Sequence, residues 1–206
     1  MSVMILERLG TPLNALYSNV PRLQHNNRFW YWVWSESLKC IQFLHQHQIF
    51  HRDIKPHNFA LGYKKSKQQL YIFDFGLSCL KSSSDKQWKQ GAASEFIGTL
   101  EYASLNQHNR YLRPYNYVDD LESWWYAIIS LRYPLPWKNE ENRFVIQQQK
   151  KNINLKRFNQ VLVSLYNEIR RFDSNFNYNF NYNFDYNFNY NKWLLIFKSI
   201  AISNKT

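Results

Sequence analysis

Glycine is scarce in this chain: five residues in 206, at positions 10, 62, 76, 91 and 98, with no Gly-x-Gly-x-x-Gly run among them. A glycine-rich loop folded over phosphates is therefore absent from these residues. Cysteine is scarcer still. Cys40 and Cys79 do not make a disulfide framework and no Cys/His cluster has zinc spacing, so a reducing compartment is the simplest reading. Long apolar runs are missing too. The longest late one, residues 193–197, is far too short to span a bilayer, and the N-terminus lacks the basic-then-apolar pattern of a signal peptide. The expectation is an intracellular chain, cytoplasmic or nuclear, without a membrane partner. Acidic residues are outnumbered: 15 Asp and Glu against 26 Lys and Arg leave a net charge of +11. Long-range electrostatics then favour anionic partners such as nucleotide phosphates, acidic peptides, nucleic acid or headgroups, and charge alone does not choose among them.

What is present is core-forming material, 45% hydrophobic and 18% aromatic, enough for one domain plus a biased tail. Val3-Met4-Ile5-Leu6 has strand character before Glu7-Arg8-Leu9-Gly10 breaks it. Thr11-Pro12 reads as a helix cap with proline at the first helical position. Across residues 28–47, Trp30, Trp34, Leu38, Ile41 and Leu44 recur three or four apart, which predicts a helix with one buried face. Residues 61–65 and 69–73 read as a β-hairpin, and residues 85–107 as a polar loop. Leu121, Trp124, Trp125, Ile128 and Ile129 form a bulky stripe that predicts a central buried helix over 119–129, and a further helix is expected over 161–169. From 175 to 191 every even position is Phe or Tyr and every odd one Asn, except Asp185. Such a tract fits either an extended strand with its rings on one face or a disordered segment prone to self-association. We take it as a low-complexity expansion without chemistry. A stacking platform for single-stranded nucleic acid would need Arg or Lys to track the backbone, and the tract has none.

The chemistry concentrates in His51-Arg52-Asp53-Ile54-Lys55-Pro56-His57-Asn58-Phe59 and in Asp74-Phe75-Gly76, which follows the apolar segment 70–73. Asp53, Lys55 and Asn58 have the spacing of a catalytic loop for phosphoryl transfer, a reaction that needs positioning and charge neutralisation more than covalent help. Asp53 is suited to accept a hydrogen bond from a hydroxyl nucleophile and take its proton. Lys55 offers a mobile positive charge, while Asn58 and Asp74 offer the hard oxygen ligands that magnesium prefers. His51 reads as structural, packed near the Asp-Phe-Gly turn.

Taken with Ile97-Gly98-Thr99-Leu100-Glu101-Tyr102-Ala103-Ser104-Leu105-Asn106, Asp119-Asp120-Leu121-Glu122-Ser123 and Leu135-Pro136-Trp137, this pattern resembles the casein kinase I superfamily of protein kinases, including its tau-tubulin and vaccinia-related relatives. The likeness runs from residue 1 to about 171. It implies a serine/threonine kinase using ATP and Mg2+ on protein hydroxyls, with a mainly α fold: the large, C-terminal lobe with a short catalytic-loop β-hairpin. In that resemblance Asp53 is the catalytic aspartate, Lys55 contacts phosphate, and Asn58 and Asp74 hold magnesium. Thr99 hydrogen-bonds near Asp53 and Lys55, and Asp120 anchors the loop from the buried helix. Leu6, Glu7, Arg8 and Leu9 form the hinge that meets adenine, with Leu6 as gatekeeper and Ala60 on the pocket floor.

Two departures accompany the likeness. The chain starts at the hinge, so the expectation is a small lobe that is absent, a fragment or truncated form, and an apolar cleft floor that a partner would have to cover. Glu101 stands where casein kinase I has an anion-binding arginine, so a preference for pre-phosphorylated substrates does not carry over. The expected domains are 1–174 (large lobe), 175–191 (the Asn/aromatic insertion) and 192–206 (final helix and tail). The competing reading is an inactive pseudokinase scaffold that uses its basic surface to hold an acidic protein partner; nucleic-acid binding ranks behind both.

Overall fold

The computed structural model describes residues 7–23, 25–64, 68–83, 96–109, 113–174 and 188–203. Within them the protein is mostly helical, with few and short strands. In chain order these are β1 (Leu9–Pro12), α1 (Leu13–Asn19), α2 (Asn27–Gln46), β2 (Ile49–Phe50), β3 (Phe59–Gly62), β4 (Leu70–Ile72), β5 (Cys79–Leu80), α3 (Leu105–His108), α4 (Tyr117–Ser130), α5 (Arg143–Lys151), α6 (Gln160–Ser174) and α7 (Tyr190–Ser203). One antiparallel sheet has the order β1-β3-β4, and a second pairs β2 with β5.

Helix α4 is the axis of the core. All twelve residues from Val118 to Ile129 are buried, on every face of the helix rather than along one stripe. A helix covered all round must still satisfy its polar groups. Trp124 donates its indole N–H to Ser37 Oγ on α2 at 2.8 Å, and Trp125 donates to the Leu162 carbonyl on α6 at 2.9 Å. Each ring thus contributes apolar area and one directed bond to a different neighbour. Truncating such a ring to alanine costs about 3–5 kcal/mol.

The predicted stripe of α2 packs inward, with Trp30, Trp34, Leu38, Ile41 and Leu44 all buried. Trp32, midway between Trp30 and Trp34 and so off that stripe, is only half-buried. Helix α7 closes over the stripe, and Phe197 sits edge-on to Trp34 with centroids 5.9 Å apart. Both helix-start signals of the core are side-chain caps. Asn26 accepts from the Phe29 amide, and Asn116 accepts from Val118 while Asp119 reaches back to the Asn116 amide at 2.8 Å.

The hairpin expected around residues 61–73 is β3 and β4, in register Phe59 to Ile72 and Ala60 to Tyr71. Thr11-Pro12 behaves differently from the sequence reading. Both residues belong to β1, and Pro12 itself is the cap residue, in extended conformation (ψ 152°) without a side-chain cap bond. Pairing of Pro12 with Ala60 on β3 outweighs the local capping preference. Helix α3 forms inside the stretch read as loop, where Ser104 and Gln107 make a complete capping box. Helix α7 begins at Tyr190, within the Asn/aromatic repeat; residues 175–187 of that repeat, the expected strand at 3–6 and residues 85–95 of the polar loop lie outside the described residues.

Candidate active site

The segment 51–58 has no regular structure before a single 3-10 turn at Pro56–Asn58, so several of its backbone groups depend on side chains delivered by the helices. Asp120, on the first turn of α4 and fully buried, takes two of the loop's amides. Its Oδ2 accepts from the His51 amide at 2.8 Å, and its Oδ1 accepts from the Arg52 amide at 3.0 Å and from the Tyr115 hydroxyl at 2.6 Å. His45 Nε2 lies 3.1 Å from Oδ2. Burial alone would push this carboxyl up; the hydrogen bond and charge of His45, with help from His51 and Tyr115, outweigh it and hold the group below the usual carboxylate range.

Arg52 is held in the left-handed region (φ 68°), which a non-glycine residue adopts at a cost of about 1–3 kcal/mol. Its amide is fixed by Asp120, its Nε donates to the Leu77 carbonyl at 2.5 Å, and its own carbonyl accepts from Gln107 Nε2 at 3.1 Å. Gly98 passes so close that a Cβ there would lie 2.8 Å from the Arg52 oxygen, and its φ of 109° also demands glycine.

This frame presents the reactive groups. Asp53 is buried, with one oxygen accepting from the Thr99 hydroxyl at 2.7 Å and the other from Lys55 Nζ at 2.6 Å. Lys55 also donates to Thr99 at 3.2 Å, so the three side chains form a closed ring of contacts. Each carboxylate oxygen keeps a second lone pair for a further donor. Asn58 Nδ2 donates to the Asp53 carbonyl at 2.9 Å, which fixes the loop across its own width. His51 has an assigned tautomer: Nδ1 accepts from the Asp53 amide at 3.3 Å, so Nε2 carries the proton and donates to the Phe73 carbonyl at 3.1 Å. That bond ties the loop to the Asp74 turn, and the His51 and Phe75 rings lie 5.5 Å apart.

Asp74 is exposed, with φ 64°, and its Oδ1 accepts from the Gly76 amide at a long 3.4 Å. The donor chemistry fits magnesium: Asp74 offers a carboxylate open to solvent, and Asn58, its nitrogen committed to Asp53, has an amide oxygen left to meet a cation. Among the described residues no three His, Cys, Asp or Glu side chains cluster as a metal site, so a cation here would rest on these two oxygens, water and phosphate.

The residues expected to form the hinge lie apart from this ring of contacts, where they are described. Glu7 and Arg8 are exposed ahead of β1, with the Arg8 guanidinium 4.4 Å over the Tyr63 ring. Leu9 pairs with Gly62, and Ala60, expected on a pocket floor, is buried in β3 opposite Pro12 and Tyr71. Leu6 lies outside the described residues.

Several supporting residues escaped the sequence reading. Asp119 accepts from Arg113 through both terminal nitrogens at 2.6 and 3.1 Å and from Ser104 Oγ at 2.8 Å, tying both residues to α4. Gln107 bridges the Arg52 and Ile97 carbonyls at 3.1 and 2.8 Å. The spacing Ser104-x-x-Gln107 was a readable capping signal; nothing local in the sequence marks His45 or Tyr115 as partners of Asp120.

The model of the protein kinase domain matches residues 2–189. Among curated relatives, serine/threonine-protein kinase spe-6 of Caenorhabditis elegans is 30% identical over 139 residues, 66% of this chain. The match spans 36% of the length of that relative.

Proposed function

The chain belongs to the protein kinase domain family, and from that premise we propose that it transfers the terminal phosphoryl group of magnesium-ATP to serine or threonine hydroxyls of proteins, within the casein kinase I superfamily. The observation that carries the reading is the Asp53 carboxylate, buried and fixed by Thr99 and Lys55 with lone pairs to spare. A hydroxyl donating to Asp53 is oriented for in-line attack and passes its proton to the carboxylate as the new bond forms. Lys55, 2.6 Å from that carboxylate, places positive charge beside the transferred group. Magnesium, when bound through Asn58 and Asp74, neutralises phosphate charge. The casein kinase I assignment is supported by Gly98-Thr99 followed by Tyr102-Ala103-Ser104, whose first hydroxyl meets Asp53. Glu101 beside this segment disfavours a substrate already carrying phosphate there.

The experiment is phosphate transfer by the full chain from radiolabelled ATP to dephosphorylated casein, followed by hydrolysis and separation of the labelled amino acids. Label on serine or threonine, dependent on magnesium, is the expected result. No incorporation, together with no thermal stabilisation by magnesium and ATP, would leave the scaffold reading in its place.

A further inference from the structure

Lys150 on α5 is a side chain that this mechanism does not use, and it is fully buried. Its Nζ donates to the Leu100 carbonyl at 2.8 Å and the Ala103 carbonyl at 2.7 Å, and lies 3.0 Å from His108 Nε2. The faces of Tyr126 and Trp137 flank it at 4.8 and 5.4 Å. Burying an amine at this depth is costly unless it is fully hydrogen-bonded. Three polar partners converge on the one nitrogen, and two are consecutive corners of a single turn.

That turn is the segment carrying Thr99. The Tyr102 and Ala103 amides both donate to the Thr99 carbonyl, at 3.0 and 2.9 Å, so the turn folds back on the residue whose hydroxyl meets Asp53. It belongs to no strand and precedes α3, so its carbonyls lack a ladder partner. Buried side chains distant in the sequence supply the donors: Lys150 for Leu100 and Ala103, and Trp137 Nε1 for Glu101 at 2.8 Å.

We propose that Lys150 is a positioning residue for phosphoryl transfer: by clamping the Leu100 and Ala103 carbonyls it holds the 99–103 turn, and with it the Thr99 hydroxyl, against the Asp53 carboxylate. The proposal rests on the reading of Asp53 as the group that orients the acceptor hydroxyl. It assigns α5, whose exposed face carries Phe144 and Lys151, a second role as the support of the catalytic turn.

The test compares Lys150→Met, which keeps the length and apolar stem but removes every N–H, with Lys151→Met, which removes a neighbouring exposed charge. Hydrogen exchange at the Tyr102 and Ala103 amides is followed in the full chain, with the Ile128 amide of α4 as internal reference. Exchange at Tyr102 and Ala103 is expected to accelerate about tenfold or more in Lys150→Met alone, while Ile128 is unchanged. In the casein transfer assay the same variant is expected to lose about 10²-fold in kcat with the KM for ATP unchanged, as a misplaced catalytic group does. Unchanged exchange at both amides overturns the proposal even in a chain that transfers no phosphate, so it fails separately from the kinase reading. Faster exchange with unchanged kcat overturns it as well. If Lys150→Met does not fold, Lys150→Gln supplies the comparison, and failure of both to fold overturns the proposal by making Lys150 a requirement of the core.

Discussion

Arg52 in the 51–58 loop and Asp74 in the turn that follows β4 share a backbone conformation, φ 68° and 64°, yet are held in opposite ways. Arg52 is gripped from across the fold: Asp120 of α4 takes its amide and Gln107 of α3 takes its carbonyl. Asp74 is exposed and sustains its own turn, with its carboxylate 3.4 Å from the Gly76 amide. Phe75 and Leu77 beside it are 48% and 39% exposed. The contrast teaches where this protein invests buried charge. The loop carrying Asp53 is fixed before any ligand arrives, whereas the Asp74 turn is left open to solvent, in keeping with the proposal that its carboxylate meets a hydrated cation.

The comparison breaks most visibly at Asp120. Asp120→Ala leaves the His51 and Arg52 amides, Tyr115 and His45 without their acceptor, and is expected to cost about 3–5 kcal/mol in denaturant unfolding. A loss below about 1 kcal/mol would mean that the loop is not hung from α4. Acid sensitivity comes next. Burial first, then the charges of Lys150 and Arg143, push His108 from 6.5 down to about 3. The unfolded chain therefore binds a proton that the folded chain refuses across that window. Stability is full above about pH 6.5 and falls as pH drops towards 3, by at most about 1.4 kcal/mol per pH unit from this group. Urea titrations of the wild type and His108→Gln between pH 7 and 4 check this, the variant giving the flatter profile.

Gly98→Ala places a Cβ against the Arg52 carbonyl at a φ that disfavours alanine, and should destabilise by more than about 1 kcal/mol in the same unfolding assay. Asp74→Asn marks the other side of the comparison. Asparagine tolerates the left-handed region, so stability should move by less than about 0.5 kcal/mol, while the thermal shift given by magnesium and ATP is lost. A large stability change there would show the Asp74 turn to be as structural as the loop.

The sequence made α2 and α4 legible because burial and periodicity coincide: Trp30, Trp34 and Leu38 on α2, and Leu121, Trp124 and Ile128 on α4, are buried where the spacing put them. The hairpin was legible from its strands and turn, Lys55 and Asn58 beside Asp53 from motif spacing, and Thr99 from the family resemblance. What was not legible is the set of long-range polar contacts. Lys150 reads locally as one more surface lysine in Gln-Gln-Gln-Lys-Lys, and only the fold reveals that it reaches two carbonyls nearly fifty positions upstream. Pro12 misled for the opposite reason, since its local capping preference yields to pairing with β3.

The account stands or falls on a prepositioned Asp53. The most direct measurement is kcat for phosphate transfer to casein by the full chain and by Asp53→Asn, at saturating magnesium-ATP and with melting temperatures matched. The account predicts a loss of about 10² to 10⁴ in the variant with the nucleotide-induced thermal shift retained. Equal rates in the two proteins would contradict it.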